Sequence, residues 1–99
     1  DELVSAWKMD NSRPEFTWME VFVKSGNQTR TWTIEDLGKN GDSSMARTTG
    51  LVTACCVIAW LDRPNMFESG VYAPEDLPDD VIDSVIEVMR SEGVSIELQ

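Results

Sequence analysis

Ser44, Arg47 and Thr48 lie within SSMARTTG, residues 43–50, between a glycine-spaced loop and the apolar run LVTACCVIAWL. A helix opening at this point leaves its first backbone N–H groups without intrahelical acceptors. Together with two hydroxyls and a guanidinium in the first turns, those groups can hold a carboxylate or a phosphate. An arginine near a helix amino end opposes the helix dipole and so calls for an anion beside it. Two sources of that anion are open: a ligand carboxylate, or an acid of the same chain, for which Asp42 is the available partner.

Other chemistry is scarce. There is no histidine to act as a base, no G-x-S-x-G turn and no G-x-G-x-x-G after a strand. The loop GKNGDSSMARTTG lacks the Gly-Lys-Ser/Thr ending that a triphosphate-binding loop requires. Cys55 and Cys56 are adjacent within the apolar run, where a mutual disulfide would close a strained ring, so they read as reduced, space-filling thiols. Without histidine or a second cysteine pair, no metal site is expected.

The formal charge is −10, and from Glu68 to Gln99 nine acids face one base, Arg90. Such a surface repels phosphate backbones, so nucleic acid is not an expected partner. It reads either as a solvated acidic face or as a surface that docks on a basic partner. The amino end DELVSAWKMD has neither the basic start nor the apolar stretch of a secretory signal. The uninterrupted run Leu51 to Leu61 is short of the roughly 20 residues that span a bilayer. A soluble, cytoplasmic protein with no membrane contact is expected.

The elements that must position these residues follow from periodicity. Residues 1–16 are a lead-in without a clear pattern, broken at Pro14. TWMEVFVK and TRTWTIED are rich in β-branched and aromatic residues and flank a Gly26-Asn27 turn, which predicts a hairpin. With that tip, Val23 faces Arg30, Val21 faces Trp32 and Met19 faces Ile34 on one face. Phe22 then faces Thr31, Glu20 faces Thr33 and Trp18 faces Glu35 on the other. Trp18 and Phe22 are large aromatics on the second face, covered either by residues 1–16 folding back or by another domain or subunit.

A helix is predicted from about Ser44 to Asp62, capped by Ser43 or Ser44 and stopped by Pro64. Being apolar nearly all round, it is expected to be buried on most sides. Gly50 in its second turn costs about 1 kcal/mol relative to alanine, which close approach of a neighbouring backbone or ligand would offset. Residues 65–77 form a connection, with a short extended piece at Val71-Tyr72. PDDVIDSVIEVMRSEG predicts an amphipathic helix with Ile82, Val85, Ile86 and Met89 as its stripe and Val81 and Val88 at the margins. VSIELQ closes the chain as a strand. The expected fold is one α+β domain over residues 1–99: an antiparallel hairpin plus a carboxy-terminal strand packed against two helices as a two-layer sandwich.

MARTTG at 45–50, preceded by a hairpin ending in Trp32-Thr33-Ile34-Glu35-Asp36 and followed by Gly70-Val71 and Ala73-Pro74-Glu75, resembles the carboxy-terminal region of the saccharopine dehydrogenase-like (saccharopine reductase) family. The likeness runs from about Trp18 to Gln99. It implies an excised carboxy-terminal domain of an NAD(P)-dependent oxidoreductase, inactive alone, whose cofactor belongs to a missing amino-terminal Rossmann domain. Carried over by position, it makes Ser44, Arg47 and Thr48 substrate-side residues, Gly50 a point of close packing at the cleft, and Trp18 and Phe22 interface residues of a homodimer. Cys55-Cys56 departs from the small or aliphatic residues of that helix, and the short loop before it argues against a substrate as large as saccharopine. The rival expectation is a free-standing acidic module that docks on a basic partner.

Overall fold

The computed structural model describes residues 2–8, 10 and 12–99. Its elements are α1 (Glu2–Ala6), β1 (Thr17–Ser25), β2 (Gln28–Asp36), α2 (Ser44–Asp62), a 3-10 turn (Pro74–Asp76), α3 (Asp79–Ser91) and β3 (Ser95–Leu98). They form an α+β fold: a three-stranded antiparallel sheet of order β1-β2-β3, with helices against it.

The hairpin has the register expected from its turn, with Met19 opposite Ile34, Val21 opposite Trp32 and Phe22 opposite Thr31. A two-residue turn fixes this pairing, because a slip by one would move every side chain to the other face. β3 adds to the far side of β2, placing Ile96 opposite Ile34 and Leu98 opposite Trp32. The same sheet face therefore carries Trp32, Ile34 and Ile96, and the core forms there.

That core is small. Val81, Val85 and Met89 of α3 are buried against Val94 and Ile96, with Trp32, Ile34, Leu51, Cys55 and Ala59 partly buried around them. Val81, Val85 and Met89 follow one another at i, i+4 and i+8, so the centre of the α3 stripe lies one position earlier than the sequence suggests, with Ile82 and Ile86 at its margin. Buried aliphatic side chains contribute about 1.5–3 kcal/mol each, so loss of one removes a large share of the total. Behind α3, the N–H of Val94 donates to Met89 O at 3.0 Å and that of Gly93 to Arg90 O at 3.0 Å. This is the paired bonding of a Schellman cap, and its apolar contact, Met89 with Val94, belongs to the core. Arg90 secures the following strand by donating to Ile96 O from Nε at 3.1 Å and from Nη2 at 2.7 Å.

Two readings need correction. α2 has the expected bounds and the Ser43 cap, but it is not buried on most sides: Ser44 is its one fully buried residue. Leu51, Cys55 and Ala59 lean on the core, while Met45, Val57, Trp60 and Leu61 face outward. A single stripe of α3 covers a single side of α2, and the described residues supply nothing for the other. Residues 1–16, as far as they are described, do not fold over the outer sheet face, where Trp18 and Phe22 remain 57% and 69% exposed. In the connection that holds Val71-Tyr72, Tyr72 stacks on Phe67 with ring centroids 4.3 Å apart and donates its hydroxyl to Glu68 O at 2.8 Å. At 19 residues, α2 is also long and apolar enough by length and composition to cross a membrane, beyond what the Leu51–Leu61 run alone indicated.

Candidate functional site

The amino end of α2 is where β2, α2 and the end of α3 meet. Ser43 caps the helix, its hydroxyl accepting from the N–H of Ala46 at 3.1 Å. The N–H of Ser44 donates to the carboxylate of Glu15, and its hydroxyl shares a hydrogen bond of 2.6 Å with the Thr17 hydroxyl. Thr48 turns its hydroxyl back to Ser44 O at 2.9 Å. The anion at this helix start is thus supplied by the chain itself, from the end of the lead-in.

Arg47 is similarly occupied. Its Nε donates to both oxygens of Asp36 at 3.3 Å, while Nη2 reaches Asp36 Oδ1 at 3.2 Å and Glu92 O at 2.7 Å. The side chains of the pair are 9% and 2% exposed, so this is a buried ion pair. Asp36 also accepts from the N–H of Gly38 at 3.2 Å. Burial pushes the Asp36 carboxyl up, but hydrogen bonds from Arg47, Ser44 and Gly38 and the guanidinium charge outweigh it and hold Asp36 below the ordinary aspartate value.

Asp42, the internal partner suggested by sequence, lies elsewhere. It closes a tight turn with Lys39, their backbones exchanging hydrogen bonds of 3.1 and 3.0 Å around Asn40-Gly41. Both central residues have positive φ, 55° and 85°, as the Asn-Gly form of that turn requires. Gly38 lets the loop close on the helix start, since a Cβ there would stand 2.8 Å from Asp42 O. Two signals in the sequence pointed to this arrangement. One was the Asn-Gly pair itself. The other was the parity of Asp36, which shares the core-facing side of β2 with Trp32 and Ile34 and so needs a buried cation.

Ser44, Arg47 and Thr48 are therefore brought together, with their polar groups directed to one another and to Glu15, Thr17, Asp36 and Glu92. Gly50 stands apart on the outer face of α2, and among the described residues no atom beyond its chain neighbours and the adjacent helix backbone lies within 4 Å of where its Cβ would be. The expected close approach is not made within the chain. Trp18 and Phe22 lie on the outer face of β1, away from this cluster. An open depression of about 350 Å³ beside the Arg47–Asp36 pair is bordered by Glu35, Leu37, Glu92 and Gly93. Among the described residues, no three His, Cys, Asp or Glu side chains gather as they would around a metal. The arrangement is a polar clasp that ties β2, α2 and the end of α3 together.

Comparison of the chain with protein-family models, with curated proteins and with solved structures finds no match.

Proposed function

We propose that this chain is the carboxy-terminal, substrate-side and dimerisation domain of a saccharopine dehydrogenase-like NAD(P)-dependent oxidoreductase. In this reading an amino-terminal Rossmann domain outside the chain binds the nucleotide and performs the hydride transfer. One observation carries the part of the reading that physics can address, the uncovered face of α2. A helix apolar all round is stable in water only when it is enclosed. The chain exposes 8192 Å², where roughly 5,700 Å² is expected for a compact protein of this mass. The extended lead-in accounts for part of the difference. The remainder is on the scale of a permanent interface between domains or subunits. The order of MARTTG, Gly70-Val71 and Ala73-Pro74-Glu75 along the chain supports the choice of family.

Within this reading Arg47 is a positioning residue. Its bonds to Asp36 and Glu92 hold the first turn of α2 against the end of α3, so that the outer side of the helix meets the neighbouring domain in a fixed orientation. The test is the intact mass of the native polypeptide captured from cell extract with an antibody to this domain. A species several times larger than 11.1 kDa is expected. A species of about 11.1 kDa would overturn the reading and favour the free-standing acidic module, which draws on the nine acids and one base between Glu68 and Gln99.

A further inference from the structure

The outer edge of β1 is a second uncovered feature, and its chemistry is more specific than that of α2. β1 is an edge strand of nine residues, paired one-to-one with β2 along its whole length. Natural edge strands are usually short, bulged, broken by proline or covered, because a free row of N–H and C=O groups invites another strand. β1 has no bulge and no proline, and Glu20 and Lys24 are its two charges. Its side chains from Trp18 to Ser25 are exposed on both faces.

The direction of the free backbone groups can be assigned. Thr31 exchanges both of its backbone hydrogen bonds with Gln99 beyond β3, at 2.9 and 2.8 Å, so its N–H and C=O point away from β1. Phe22, directly opposite Thr31, must then turn its own N–H and C=O to the open edge. By alternation Trp18, Glu20 and Lys24 do the same. Among the described residues, no backbone hydrogen bond reaches that edge.

We propose that β1 is the contact between two copies of this chain, pairing antiparallel with itself about a two-fold axis at Phe22 and joining two three-stranded sheets into one of six strands. It deepens the homodimer part of the reading above, on which it rests, and uses nothing of its oxidoreductase part. An antiparallel two-fold pairing must match outward-pointing residues with each other, so the axis passes through a residue; near the middle of β1 the choices are Glu20, Val21 and Phe22. The axis at Glu20 sets like charges directly opposite. The axis at Val21 sets Glu20 against Phe22 of the second copy. The axis at Phe22 sets Glu20 against Lys24 of the second copy twice, with the two Phe22 rings side by side, and on the other face pairs Val21 with Val23. Opposite charges and aromatic pairs directly across strands are the favourable combinations, and like charges the unfavourable ones. The segment also suits self-association in its charge: residues 17–63 hold five acids and five bases, so the surplus negative charge of the chain lies outside it.

The test is sedimentation equilibrium of the 99-residue chain at low salt, with the single variants Glu20→Lys and Lys24→Glu and their mixture. Each variant alone should weaken the dimer roughly tenfold, because two attractive cross-strand pairs become repulsive. Mixing the two variants should restore association as a heterodimer, since positions 20 and 24 then carry opposite charges across both pairs. Phe22→Pro should also abolish pairing while leaving the hairpin intact, as its N–H is not used by β2. A wild-type dimer indifferent to both charge changes would overturn β1 as the contact and leave the homodimer reading standing. Weakening without restoration in the mixture would overturn the axis at Phe22. A wild-type chain that stays monomeric would overturn both.

Discussion

α3 and α2 are neighbours of similar sequence character only at first sight. α3 has one apolar stripe and one acidic side, and one face of one sheet satisfies it: Val81, Val85 and Met89 are buried while Asp79, Asp83 and Glu87 stay in water. α2 is apolar on every side, and the same sheet and α3 satisfy only the line through Leu51, Cys55 and Ala59. The remaining sides, through Ala46, Gly50, Ala54, Val57 and Leu61, are exposed. A helix with one stripe can be completed by its own chain. A helix without a polar side requires more partners than 99 residues provide.

The two helices are tied through Arg47, and cutting that tie is the severest way to break the contrast. Arg47→Met leaves the Asp36 carboxylate buried without its cation and should cost about 3 kcal/mol, read from urea unfolding at neutral pH. The pH dependence has a definite sign. The folded value of Asp36 lies below its unfolded value of about 3.9, so its contribution is present above about pH 4 and is lost as pH falls through the folded value. Asp36→Asn should flatten the acid limb of the unfolding curve, and an unchanged limb would assign the acid sensitivity to other carboxylates.

Next in size is the difference between the helices themselves. Met89→Ala empties a core position and should cost about 2–3 kcal/mol. Leu61→Ala on the outer face of α2, a residue 65% exposed, should change the isolated chain by less than about 0.5 kcal/mol. Equal losses would mean that α2 is enclosed in solution after all. One further effect has the opposite sign: Gly50→Ala should stabilise the isolated chain by about 1 kcal/mol, since nothing outside its own helix stands where the methyl would go. A loss instead would show a neighbour packed on Gly50.

The same contrast explains how much was legible in the sequence. The hairpin register, the bounds of α2 and α3 and the strand at the carboxy end depend on local turn chemistry, caps and periodicity, which the sequence carries directly. The exposure of α2 depends on how many surfaces the rest of the chain can offer, which periodicity does not report. At the clasp, the place of Arg47 near the start of α2 calls for an anion, but nearness in sequence favours Asp42. The true partner, Asp36, is distinguished by its inward parity at the end of β2, a tertiary property of the strand. Glu15 was hidden for a similar reason, since the lead-in has no pattern of its own and takes its place from the helix it meets.

The carboxylate of Glu15 on the N–H of Ser44 settles how this helix start would treat dissolved anions. Glu15 lies two residues from Thr17, which is itself bonded to Ser44, and a group held by so short a link is present at its target at an effective concentration on the order of millimolar. A free phosphate or carboxylate at micromolar level would therefore lose the competition for that N–H, and the amino end of α2 behaves as an occupied berth, vacated only when the lead-in is drawn away.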